Sequence, residues 1–125
     1  MPQQKTINYF AYASNLNEAQ MVERGVSLVT RGLATLLDYE LVFNKRGVLY
    51  SGHAAANVQP YQGSQVEGVL YGLPEEALAQ LDTFEIGYDK KVVTVVLQED
   101  GSLRQAIIYV AKPGFIVTDL QPSKE

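Results

Sequence analysis

Cysteine is absent from the 125-residue sequence, and histidine occurs once, at His53. The first absence excludes disulfides, thiolate nucleophiles and cysteine-ligated zinc together, and a single histidine cannot build a histidine-rich metal site. Charge is also sparse. Charged residues make up 19% of the chain, and ten Lys plus Arg against fourteen Asp plus Glu leave a net charge of −4. No basic cluster is denser than Lys45-Arg46 or Lys90-Lys91, so phosphate backbones and anionic lipid surfaces find little to neutralise. Neither nucleic acid nor membrane is expected as a partner. The start, Met1 to Thr6, is polar and lacks the apolar stretch of a signal peptide. Nowhere does an apolar run approach the roughly 18 residues of a membrane helix. A cytoplasmic protein is the expectation. Repeats, low-complexity tracts and Pro/Ser linkers are missing too, which points to a single domain over residues 1–125.

What the chain does have is apolar surface. Hydrophobic residues make up 46%, enough for a domain of this length to bury roughly two-thirds of its unfolded surface around one core. Ile7 to Tyr12 is β-branched and aromatic and reads as a strand that stops at the small, polar Ala13-Ser14-Asn15. Asn15 with Glu18, or Asn17 with Gln20, then fits a capped helix start, and helical spacing continues to Gly25. Gly32 to Leu37 and Tyr39 to Asn44 suit a strand pair or one bent strand, followed by a loop from Asn44 to Gly52. Ala54 to Val58 reads as a strand ended by Pro60, Gly63-Ser64 as a turn, and Val66 to Leu73 as a further strand. Pro74-Glu75-Glu76 opens a helix, because Pro fits the first turn and carboxylates favour the positive end of the dipole. The spacing predicts that helix to about Glu85, ending near Gly87. Lys91 to Gln98 and Leu103 to Ala111 flank Asp100-Gly101, a hairpin signal. The expected fold is α+β: a small mixed β-sheet curling into a barrel with flanking helices.

Two places could carry chemistry. Leu78, Leu81 and Glu85 are spaced to share one helix face, so Glu85 falls on the stripe that should be buried. Desolvation and the negative end of the helix would both raise its pKa, making it a proton acceptor near neutral pH. The alternative is a helix that frays before Glu85 and leaves the carboxylate in water. The second place is Tyr12-Ala13-Ser14-Asn15-Leu16, where a strand turning into a helix start offers backbone N–H groups to an anion; a capped helix start with no ligand is its alternative. His53, Ser51 and Asp38 show no elbow motif around a nucleophile, so a Ser-His-Asp triad has little support.

Both places belong to one ordered set. Tyr9-Phe10-Ala11-Tyr12-Ala13-Ser14-Asn15-Leu16 resembles the Tyr-Gly-Ser-Asn-Leu signature of the gamma-glutamylcyclotransferase-like family, and Leu81-Asp82-Thr83-Phe84-Glu85 resembles its Leu-Asp-x-x-Glu motif. Between them, Leu36 to Phe43 is similar to a Leu-x-x-Tyr-x-Leu-x-Phe segment. Ala56-Asn57-Val58 with Val66 to Tyr71 is similar to an Ala-x-Ile…Val-x-Gly-x-x-Tyr stretch. Order and spacing agree over residues 7 to 112. The resemblance implies a small mixed barrel and an enzyme that cyclises a gamma-glutamyl group to 5-oxoproline, releasing an amino acid or amine without cofactor or metal. Carried over by position, Glu85 is the general acid/base. Tyr12, Ala13, Ser14, Asn15 and Leu16 form the substrate loop, and Tyr88 and Tyr109 border the pocket. Ala13 stands where the family usually has Gly, Ile86 replaces the Gly after the motif Glu, and Gly25-Val26 stands where Cys-Pro often follows an Arg like Arg24. The tail Pro122-Ser123-Lys124-Glu125 stops where the family commonly continues into a helix, so that C-terminal helix is expected to be missing. The expected partner is a small gamma-glutamyl substrate, with the chain a monomer or weak homodimer. A cyclotransferase for gamma-glutamylamines and a non-catalytic member binding a small ligand or partner protein are the alternatives.

Overall fold

The computed structural model describes residues 6–12, 29–46, 54–83 and 87–116. Strands β1 (Thr6–Ala11), β2 (Val29–Arg46), β3 (Ala54–Pro74), β4 (Tyr88–Leu97) and β5 (Leu103–Ala111) close a barrel in the order β1-β3-β2-β4-β5. Helix α1 (Glu75–Asp82) follows β3, and a 3-10 turn (Pro113–Phe115) follows β5. The sheet is mixed as expected: every pair is antiparallel except β1 with β5, which run parallel through Tyr9 and Ile107. No helix among the described residues is long and apolar enough to cross a membrane.

Alternation along the strands builds two cores, because successive side chains leave a strand on opposite faces. Phe10, Tyr12, Leu36, Val58, Leu70, Val93, Val95 and Ile108 point into the barrel. Tyr9, Ala11, Tyr71, Leu73 and Tyr109 point out, where Ala77, Leu78 and Leu81 of α1 cover them. Strands buried on both faces explain why β1 and β5 read as near-continuous apolar runs.

Strands β2 and β4 begin three residues earlier than the sequence reading, at Val29 and Tyr88, and three larger differences follow. The segments around Gly63-Ser64 are one strand, not two separated by a turn. Residues 61–64 of β3 stand opposite Asp38 alone, since Leu37 pairs with Gln65 and Tyr39 with Pro60. Asp38 adopts a left-handed φ of 64°, Gly63 one of 90°, and the Asp38 carboxylate accepts the Gly63 N–H at 3.0 Å. The bulge also absorbs Pro60, whose missing N–H would break a regular ladder. β2 is correspondingly one bent strand, running through Asn44 to Arg46 where a loop was expected. Helix α1 begins at Glu75, with Pro74 extended just before it, and ends at Asp82 rather than near Glu85. Thr83 stops it: its N–H and its hydroxyl both donate to the Gln80 carbonyl, at 3.2 and 2.7 Å. Phe84, Glu85 and Ile86 lie outside the described residues, as does the helix expected between Asn15 and Gly25.

The β4–β5 hairpin forms as read, with Gly101 at φ 70°. Asp100 accepts the Ser102 hydroxyl at 2.6 Å and its N–H at 2.9 Å. These bonds, with Arg104 beside them, hold the Asp100 carboxyl below its usual range. The turn is therefore best held with Asp100 ionised and loosens as pH falls through that lowered value.

Gly68 fits β3 against the end of β1. A Cβ there would stand 2.3 Å from the Ala11 carbonyl oxygen and 2.6 Å from Cζ of Phe10, and a backbone oxygen cannot rotate away. Gly68→Ala is expected to destabilise by about 1–3 kcal/mol through overpacking. Gly114→Ala, whose Cβ meets nothing within 4 Å, should stay within about 0.5 kcal/mol. Urea denaturation midpoints of both variants check this.

Candidate functional site

Because β1 and β5 run parallel, their C-terminal ends meet the start of β4 at one end of the barrel. Tyr12 follows directly on Ala11, Tyr109 lies near the end of β5, and Tyr88 opens β4 opposite Ala111. The topology thus brings together the three tyrosines named from sequence.

Their bonds run through Tyr109. Tyr12 points into the barrel, where its hydroxyl donates to the Tyr109 carbonyl at 2.5 Å. The Tyr109 ring points the other way, toward α1, and its hydroxyl donates to Asp82 Oδ1 at 2.5 Å. Tyr9 and Tyr88 both meet that ring edge-on, with centroids at 5.7 and 6.5 Å, the arrangement that ring quadrupoles favour. Tyr88 is half-buried and donates to the Ala56 carbonyl at 2.6 Å, tying β4 to the start of β3. Lys90 Nζ reaches Asp82 Oδ2 at 2.8 Å; both side chains are partly in water, so this pair adds little stability.

Asp82, Asn57 and Lys90 were not singled out as site residues from sequence. Asn57 is 2% exposed, and its Oδ1 accepts the Ala111 N–H at 2.8 Å, finishing the end of β5 that β4 pairs on its other side. Its signal was available: a polar residue inside the apolar run Ala54 to Val58 must be satisfied when buried. Asp82 had one as well, inside the Leu-Asp-x-x-Glu match. The remaining residues read from sequence, Ala13, Ser14, Asn15, Leu16 and Glu85, lie outside the described residues. The structure therefore assembles Tyr12, Tyr88 and Tyr109 without testing what any of them binds. Among the described residues no group of His, Asp and Glu is arranged to hold a metal ion.

Comparison with known proteins follows the same line. A family model, "Gamma-glutamyl cyclotransferase, AIG2-like", matches residues 9–124. A solved structure called "Gamma-glutamyl cyclotransferase" superposes with a TM-score of 0.77 at 26% identity, over 86% of this chain and 68% of that one. An uncharacterized protein from Homo sapiens superposes with a TM-score of 0.74, also at 26% identity, over 93% of this chain and 69% of its own. YkqA from Bacillus subtilis shares the fold, with a TM-score of 0.78 at 23% identity, over 96% of this chain and 45% of that protein. No curated protein matches the sequence.

Removing the Asn57 side chain leaves the buried Ala111 N–H without its acceptor. Asn57→Ala is expected to cost about 1–3 kcal/mol, the desolvation penalty of an unpaired group, read as a lowered denaturation midpoint. Amide exchange at Ala111 should rise in the same variant.

Proposed function

Because the chain belongs to the gamma-glutamyl cyclotransferase, AIG2-like, family, we propose that it cyclises a gamma-glutamyl group to 5-oxoproline and expels an amino acid or amine. The observation that carries this reading is the family match over residues 9–124 on a barrel whose one end gathers Tyr12, Tyr88 and Tyr109.

In the proposed reaction the α-amine of the gamma-glutamyl group attacks its own γ-carbonyl carbon. A C–N bond closes the five-membered ring, and the C–N bond to the leaving nitrogen breaks. The amine starts mostly protonated near pH 7, since even a peptide terminal amine has a pKa of roughly 8. Glu85 takes that proton and returns it to the leaving nitrogen, and the second proton that the ring nitrogen sheds follows the same route, so the amine departs as its ammonium; such a role is worth on the order of 10²–10⁴ in rate. The Tyr12 to Leu16 segment begins at the buried Tyr12. Its backbone N–H groups hold the glutamyl carboxylate and meet the developing oxyanion. Holding the substrate folded supplies the proximity contribution. As drawn, the steps are proton transfers and acyl transfer and draw on no cofactor.

The test is release of 5-oxoproline from a panel of gamma-glutamyl compounds by the wild-type protein and by Glu85→Gln. Gln keeps size and an acceptor oxygen but cannot take the amine's proton. kcat should fall at least about a hundredfold while substrate binding by calorimetry is largely kept. Retention of most of the wild-type rate would remove Glu85 from the mechanism. Ligand binding without any turnover by the wild type would favour a non-catalytic member of the family.

A further inference from the structure

The barrel joins two parts along two seams. Strands β1, β3 and β2 form one antiparallel sheet, and β4 with β5 forms a hairpin. Both seams are thin: β1 meets β5 through Tyr9 and Ile107, and β2 meets β4 through Ala34 with Leu97 and Thr35 with Val96. The register of β2 on β3 shifts on either side of that second stretch, between Thr30 and Gly32 and between Leu37 and Tyr39. Such irregularities bend a strand, which keeps the meeting of β2 with β4 short.

The two seams are secured differently. Along β1 and β5, α1 packs on the outer face, the Tyr12 hydroxyl bonds the Tyr109 carbonyl, and the Asn8 amide donates to the Gln105 carbonyl at 3.1 Å. The base of the hairpin is also bonded to β3, through Tyr88 to Ala56 and through Ala111 to Asn57. Along β2 and β4 the outer face lies in water, with Leu33 61% and Leu103 70% exposed. There the Gln98 N–H donates to the Leu33 carbonyl at 2.9 Å. Beside it, the Gln98 side-chain amide donates to Glu67 Oε1 at 2.5 Å and to the Thr35 hydroxyl oxygen at 3.2 Å. Thr35 donates in turn to Glu67 Oε1 at 3.1 Å, and Gln65 donates to Glu67 Oε2 at 2.7 Å. One carboxylate on β3 thus gathers donors from β2 and from the end of β4.

We propose that the barrel opens along the β2–β4 seam: the hairpin swings away on its β1–β5 side while its base stays bonded, and Gln98, Thr35 and Glu67 are the latch. Opening there breaks the bond from Gln98 to Leu33 and wets Ala34 and Leu97, both buried in the inner core. The contacts among Tyr12, Tyr88 and Tyr109 stay in place. An opening of this kind lies below global unfolding in free energy, because few backbone bonds cross the seam and they lie close to water. The interior becomes accessible without dismantling the tyrosine end, whatever reaction that end serves.

Native-state amide exchange in the wild type and two variants provides the test, under conditions where rates report opening equilibria. Glu67 is exposed, so Glu67→Ala should fold, which its thermal melt checks. In that variant the Gln98 amide should exchange about five- to tenfold faster, as expected for lost bonds to a carboxylate. Asn57→Ala instead weakens the base, which remains bonded when the seam opens. It should lower the urea midpoint yet leave Gln98 exchange within about twofold of the wild type. In the wild type, low urea should leave Gln98 exchange nearly flat, since opening one seam exposes little surface. A Gln98 rate that rises in Asn57→Ala in step with the lost global stability would mean that the seam parts only by unfolding, and would overturn the proposal. A urea dependence as steep as that of global unfolding would do the same. An unchanged Gln98 rate in Glu67→Ala would remove the latch.

Discussion

Tyr109 is the residue on which this end of the molecule depends. Its backbone carbonyl faces one core and takes the Tyr12 hydroxyl, while its ring enters the other core and its own hydroxyl reaches Asp82. One residue thereby ties β1, β5 and the last residue of α1, and through ring contacts it also touches β4 at Tyr88. A tyrosine suits the place because its body is apolar and its tip is polar: the ring fills the packed layer, and the oxygen meets a carboxylate at that layer's edge. Phenylalanine could fill the layer but would leave the helix end without this bond.

The parallel β1–β5 pairing makes such a hub possible. An antiparallel neighbour would carry the C-terminal end of β1 away from that of β5, whereas here both ends arrive together with the start of β4. Parallel neighbours need cover on both faces, and α1 provides it through Ala77, Leu78 and Leu81. Packed there, α1 ends with its last residue, Asp82, bonded to Lys90 and Tyr109. Gly68 serves the same geometry from β3, giving the backbone at Ala11 room to pass.

Local chemistry made much of this fold legible. The Asp100-Gly101 turn carries its own left-handed glycine and its own carboxylate acceptor, so it reads directly as a hairpin. The β3 strand did not, because Pro60 and Gly63 are punctuation in any local reading. Only the partner strand, with Asp38 supplying both a left-handed residue and an acceptor, turns that punctuation into a bulge. The end of α1 was missed for a similar reason: Leu78 and Leu81 extend their stripe to Glu85 on paper, but Thr83 binds back to Gln80 and stops the helix earlier. Within the site, Tyr88 and Tyr109 were reached by resemblance alone, since nothing in their spacing separates a site tyrosine from a strand tyrosine. Asn57 and Asp82 act through partners 54 and 27 residues away, a separation that periodicity does not register.

The proposed chemistry requires a ligand at the barrel end marked by Tyr12, Tyr88 and Tyr109, a location that turnover alone does not report. Titration of the isotopically labelled protein with 5-oxoproline, followed by amide chemical shifts, tests it most directly. Saturable shifts concentrated at Tyr12, Ala13, Ser14, Asn15 and Tyr88 are the predicted result. Shifts centred instead on the outer face of β2 and β3, around Thr35, Glu67 and Gln98, would contradict it.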